Sequence, residues 1–140
     1  MSFAPYVAFS GNCRAAMTEY ARIFGASDLQ LMTFAEALPD QRPEGAETLV
    51  MHAQFTADPG APMMGCDVPP AYGAGGMGGS SVYHAAADAG EAARVFAALA
   101  EGGTISMPLA ATFWSPAFGM LQDRFGTRWM ISVPPMEATP

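Results

Sequence analysis

The chain has no lysine. Its only fixed cations are six arginines, set against thirteen carboxylates, for a formal charge of −7 over 140 residues. The arginines form no basic cluster. Nucleic-acid backbones and anionic membrane surfaces are both held by grouped Lys and Arg, so neither is expected as a partner. The acidity selects no cationic substrate either, because a solvated acidic surface is the ordinary state of a soluble protein. Cysteine is scarce: Cys13 and Cys66 lie far apart with no Cys-x-x-Cys pairing. A structural zinc site and a disulfide are therefore not expected. No apolar run reaches bilayer length. The start, Met1-Ser2-Phe3-Ala4-Pro5-Tyr6, lacks the charged residues and apolar stretch of an export signal, and a cytoplasmic location is expected.

What is present is apolar bulk. Hydrophobic residues make up 51% of the chain, enough for a core in one domain of this length. Eleven methionines read either as adaptable pocket lining or as plain core filling. Phe3 to Phe9 reads as a strand, and Ser10-Gly11-Asn12 as a turn and helix N-cap. Ala16, Met17, Tyr20, Ile23 and Phe24 recur at helical spacing, and Gly25 closes the helix. Leu29 to Phe34 reads as a strand, and the acidic, Pro-containing stretch from Pro39 to Glu47 as a loop. Thr48 to Thr56 alternates, with Leu49, Met51, Ala53 and Phe55 on one face and Val50, His52, Gln54 and Thr56 on the other. Ala61 to Val68 is a further strand.

A Gly-rich linker, about residues 69–79, follows. Its Gly73-Ala74-Gly75-Gly76-Met77-Gly78 imitates a phosphate loop, but it stands between two strands instead of opening a helix, so phosphate binding is not expected. The pattern then restarts. Ser80 to Ala86 is a strand, and Asp88 caps a helix from Ala89 to Glu101 with Ala92, Val95, Phe96 and Leu99 inward. Ile105 to Ala110, Ala117 to Gln122 and Thr127 to Val133 are strands. Module one is about 1–68 and module two about 80–134. Each runs strand, helix, three strands, so the expected class is α+β with two βαβββ modules.

The densest aromatic stretch runs from Thr112 to Trp129. It sets Phe113-Trp114 and Phe118-Gly119-Met120 before an Asp123-Arg124-Phe125-Gly126 turn that leads into the last strand. Asp-x-x-Gly is turn chemistry, with the carboxylate accepting backbone N–H bonds and Gly taking the positive φ, so Asp123 is read as structural.

These residues carry a resemblance. Pro5-Tyr6 with Phe9, Gly11-Asn12-Cys13, Tyr20, Phe24-Gly25, Met51-His52-Ala53 and Asp67 resemble the vicinal oxygen chelate superfamily, and so do Gly102-Gly103, Met107-Pro108-Leu109, Phe113-Trp114, Phe118-Gly119-Met120, Asp123, Phe125-Gly126 and Arg128-Trp129. That superfamily includes glyoxalase I, bleomycin-resistance proteins and extradiol dioxygenases. The likeness is to its PhnB-like branch, once mislabelled as demethylubiquinone methyltransferases. It implies a curved mixed sheet around a cavity, with helices outside, and a homodimer. Metal-using members hold a divalent ion with His and Glu from the first and last strands of both modules.

Carried onto this chain, those ligand places fall at about Pro5, Met64, Val82 and Met130. None holds a hard divalent cation, and a one-residue slip to Tyr6, Met63, Tyr83 and Trp129 supplies no His or carboxylate. Neither a metal nor a cofactor is expected. His52 and Gln54 share the polar face of their strand, which in this fold lines the cavity. His52 reads equally as a functional group or as a histidine satisfied by its neighbours. His84 shares the face of Val82 and reads as a base, a substrate partner or a rim histidine. Cys66 shares the face of Met64, as a pocket thiol or a small core residue. Asp67 reads as a turn residue. Arg128, on the face of Met130, suits a substrate anion or an ion pair with Asp67. One of Phe113 and Trp114 is expected to wall the cavity and the other to enter the core. Glu19 and Glu101 are read as solvated.

Together these residues describe a binder of a small apolar or aromatic molecule. The competing readings are an enzyme using His52 or His84 for proton transfer or lyase-type chemistry, and a protein whose cavity is filled by its own Met and Phe side chains.

Overall fold

Apolar residues three and four apart commit Cys13–Ile23 to helix α1, which buries Cys13, Ala16, Met17, Tyr20 and Ile23. The described residues of this computed structural model are 4–37, 40, 44–57, 62–69 and 80–134. The loop expected at 39–47 is only partly among them, and of the Gly-rich linker only Pro69 is. The chain divides into two units, Met1–Met77 and Gly78–Pro140.

In the first unit the strands are β1 (Tyr6–Phe9), β2 (Gln30–Thr33), β3 (Val50–Thr56) and β4 (Pro62–Asp67), in the spatial order β1-β4-β3-β2. β1 runs parallel to β4, and the other pairs are antiparallel. Helix α1 covers one face, where Val7, Phe9, Val50, Ala53, Phe55 and Met63 are buried. Each large apolar side chain so buried contributes about 1.5–3 kcal/mol. Gly65 sits under the helix: a Cβ there would lie 3.1 Å from the Val7 carbonyl oxygen and 3.3 Å from Met17 Sδ. The missing side chain lets α1 approach the sheet.

Three local readings are corrected. Phe34 leaves the strand for a short 3-10 turn, Phe34–Glu36, closed by a capping box between Thr33 and Glu36. The alternation expected through Thr48 to Thr56 breaks at a β-bulge: Met32 pairs with His52 but Thr33 pairs with Val50, leaving Met51 unpaired. Val50 thereby joins Ala53 and Phe55 in the core. Asn12 stands at the N-cap of α1, yet its side chain makes no capping bond. The cap comes from Asp67, whose Oδ1 accepts from the N–H groups of Gly11 and Cys13, both at 2.9 Å, while Oδ2 accepts from Val50 N–H at 3.0 Å. Asp67 is 3% exposed and staples helix, β3 and β4 together.

The second unit repeats the plan with β5 (Val82–Ala85), α2 (Ala89–Ala100), β6 (Thr104–Ala110), β7 (Phe118–Gln122) and β8 (Arg128–Ser132). Its order is β5-β8-β7-β6, with β5 parallel to β8. Asp88 caps α2 by accepting from Glu91 N–H at 2.8 Å, and Ala92, Val95, Phe96 and Leu99 pack inward as their spacing requires. At the turn between β7 and β8, Asp123 Oδ1 accepts from Phe125 N–H and Thr127 N–H, and Oδ2 accepts from Trp129 Nε1–H at 2.9 Å. Gly126 takes φ +97°. The structural reading of Asp123 thus describes a carboxylate that both forms the turn and anchors the buried indole.

Candidate functional site

Each sheet has one face under its helix and one face away from it. In the first unit the strand pairings put Tyr6 beside Met64, Met64 beside Gln54, Ala8 beside Cys66 and Met32 beside His52, all on the face away from α1. The sequence-predicted residues His52, Gln54, Met64 and Cys66 therefore share one surface. Sequence reasoning missed Tyr6, which links them. Its hydroxyl lies 3.2 Å from His52 Nδ1, and His52 Nε2 lies 3.0 Å from Gln54 Oε1. The imidazole is thus in contact through both ring nitrogens, and which partner donates depends on its tautomer. The Tyr6 hydroxyl and the Cys66 thiol also influence each other's ionisation.

Burial favours the neutral phenol and thiols of this unit. Burial pushes the Tyr6 phenol up, with Cys66 and Cys13 adding to the rise. Burial also pushes the Cys66 thiol up; the Tyr6 hydroxyl pulls it back and Asp67 pushes it further. Cys13, wholly enclosed, is pushed up to about 12 by burial first and then by Asp67. Thiolate chemistry at neutral pH draws no support from such an environment.

The second unit has the matching face. Tyr83 pairs with Met130, Met120 with Met130, and Gln122 with both Thr104 and Arg128. An open cavity of about 310 Å³ lies there, bordered by Ser81, Thr104, Ser106, Met120, Gln122 and Arg128.

His84 does not join this face, contrary to the sequence expectation. It pairs with Ile131 as Val82 pairs with Trp129, and both partners are buried on the α2 side. Its Nε2 lies 3.7 Å from Glu91 Oε1 on α2. Burial lowers its pKa, Glu91 opposes that, and Arg94 adds to it. The aromatic pair also departs from expectation. Phe113 is 97% exposed and Trp114 42%, so neither enters the core. The two rings meet edge-on at 4.7 Å, and Trp114 meets Phe118 at 5.5 Å. Asp67, with both oxygens held by backbone N–H groups, makes the staple described above.

The sequence model of the 3-demethylubiquinone-9 3-methyltransferase family matches residues 1–132. The chain belongs to this family. Protein YjdN of Escherichia coli K12, similar to this PhnB-like chain, is 32% identical, the match covering 99% of both chains. A crystal structure of a Pseudomonas aeruginosa protein is 38% identical with a TM-score of 0.86, covering 96% of this chain and 98% of that one. The PhnB protein of Bacillus cereus is 27% identical with a TM-score of 0.73, covering 95% and 99%. A glyoxalase/bleomycin resistance/dioxygenase domain from Frankia sp. EAN1pec, 12% identical with a TM-score of 0.63 over 96% and 97%, shows the shared fold. The expected α+β fold, shared with that domain, and the PhnB-like family are thereby established.

The strand register bears on the ligand places that the resemblance implies. On the first strand of each module the residue beside the last strand's methionine is Tyr6 in module one and Tyr83 in module two, one position later than counting had put them. Each tyrosine faces a methionine, Met64 or Met130. Phenol and thioether are a poor donor set for a hard divalent cation, so the residues present do not fit the superfamily's metal. Among the described residues no group of three His, Cys, Asp or Glu side chains could hold an ion. The signal was in the sequence. Tyr6-Val7-Ala8 and Tyr83-His84-Ala85 are one Tyr-x-Ala motif repeated on equivalent strands, just as Met64-x-Cys66 and Met130-x-Ser132 repeat on the closing strands.

Proposed function

We propose that this PhnB-like protein binds a small apolar or aromatic molecule on the tyrosine- and methionine-lined faces of its sheets, without the divalent ion of the superfamily's metal-using members. The observation that carries the reading is the Tyr6–Met64 pair and its counterpart Tyr83–Met130 at the ligand places. Polarizable thioethers and phenol rings give close, adaptable contact to flat apolar ligands and offer a metal little. His52, Gln54 and Cys66 supply hydrogen-bonding groups beside that surface. The homodimer and the cytoplasmic location expected from the sequence belong to the same proposal, and light scattering and cell fractionation test them. Among the described residues no helix is long and apolar enough to cross a membrane.

The test is a thermal-shift screen of neutral aromatic compounds against the wild-type protein and the Tyr6→Ala and Met64→Ala variants. Binding that raises the melting temperature of the wild type and is weakened in a variant supports the reading. No stabilisation by any aromatic compound sinks it.

One observation favours a second reading, proton transfer by His52. The Tyr6–His52–Gln54 chain engages both ring nitrogens and so orients the imidazole, as general acid–base work requires. A substrate screen in which His52→Ala keeps full turnover removes it. The placement of His84 under α2 gives no comparable support to a reaction at His84.

A further inference from the structure

The cavity of the second unit is bordered by a polar row, an apolar row follows on the same face of the sheet, and their order selects a class of ligand. Thr104, Gln122 and Arg128 stand side by side across β6, β7 and β8. Ser81 and Ser106 complete the border of the cavity at that end. Two residues along, Met120, Met130 and Tyr83 form the next row on the same face. The polar row thus has one guanidinium flanked by an amide and a hydroxyl, with no carboxylate among its members.

That is unusual in so acidic a chain. With thirteen acids available to six arginines, pairing is the expected fate of a cation. Arg22 follows it, bonded to Glu19, and Arg124 stacks 4.4 Å from the centre of the Phe125 ring. Arg128 instead has uncharged neighbours in register and opens on a cavity. A guanidinium presents a planar fork of donors that matches a carboxylate in a two-bond arrangement, while Ser, Thr and Gln can donate to the oxygens it leaves free.

Resting on the small-molecule reading above, we propose that the ligand of this cavity is an apolar or aromatic carboxylic acid. Its carboxylate is held by Arg128 between Thr104, Gln122 and the two serines, and its body lies against Met120, on the side toward Met130 and Tyr83. A volume of about 310 Å³ suits a single-ring acid. The net charge of −7 repels anions at long range, so recognition depends on this one local cation and weakens as salt screens it.

The test is an amide NMR titration of the full chain with benzoate and, separately, with benzamide, which has the same ring and no charge. The expected result is shifts at Thr104, Ser106, Gln122 and Arg128, with benzoate binding about tenfold more tightly than benzamide at low salt. Arg128→Gln removes that preference, and Arg128→Lys, which keeps the charge but loses the fork, retains part of it. Equal affinity for the two compounds, or a benzoate preference that survives in Arg128→Gln, overturns the assignment while leaving the small-molecule reading intact. Shifts from neither compound overturn both.

Discussion

Replacing Asp123 by alanine removes one carboxylate and strands three donors: the N–H groups of Phe125 and Thr127 and the indole N–H of Trp129. Thr127 and Trp129 are 1% and 2% exposed, so water cannot take the place of the lost acceptor at two of the three. An unsatisfied buried donor costs about 1–3 kcal/mol, and the half-exposed Phe125 bond adds about 0.5–1.5 kcal/mol. The expected loss is about 2.5–7.5 kcal/mol, a large share of the ~5–15 kcal/mol that holds a typical domain. Urea unfolding followed by tryptophan fluorescence and far-ultraviolet circular dichroism measures it. Asp123→Asn keeps one acceptor for the turn but turns an amide N–H₂ toward the indole, so it falls between the wild type and alanine. A double-mutant cycle separates the parts. With Trp129→Phe as background the indole donor is gone, and Asp123→Ala then costs about 1–3 kcal/mol less than in the wild type. A loss under about 1 kcal/mol in Asp123→Ala, or no coupling in the cycle, refutes the reasoning.

Asp67→Ala frees the N–H groups of Gly11, Cys13 and Val50 and is expected to cost about 3–5 kcal/mol, with amide exchange rising first at the start of α1; uniform exchange along the helix contradicts the staple. His84 is held below its usual pKa of 6.5, so the unfolded chain binds its proton more readily. Its contribution to stability is complete above pH 6.5 and is lost as the pH falls through the folded value. His84→Gln should flatten the urea midpoint across that acid range, and an unchanged slope in the variant refutes the burial. Cys66, pushed up by its surroundings, should react with iodoacetamide more slowly than a free thiol at neutral pH and faster as the pH rises. Tyr6→Phe removes the hydroxyl that pulls the thiol down and should slow it further; faster alkylation in that variant contradicts that influence.

What was legible in the sequence was local. Helix α2 was readable nearly to the residue because Asp88 and the Ala92-Val95-Phe96-Leu99 stripe act within a few turns of themselves. The Asp123 turn was readable because its partners lie two to six residues away. Asp67 was not, since its main partner Cys13 is 54 residues distant and only the folded chain brings them together. The site failed to read for another reason. Period-two alternation says which residues share a face but not which face lies under the helix, and a slip of one exchanges them all. That is why Val82 and His84 were taken for the open face of β5 and Tyr83 was passed over. On β8 the carried-over place at Met130 did fall on the open face with Arg128, while Trp129 and Ile131 are buried behind it.

Native mass spectrometry of the protein purified from its own host tests the central claim most directly. The account predicts a retained organic adduct of small mass and no stoichiometric divalent ion. A chain carrying one equivalent of a divalent metal, lost on chelation and replaced on adding the ion back, would contradict it.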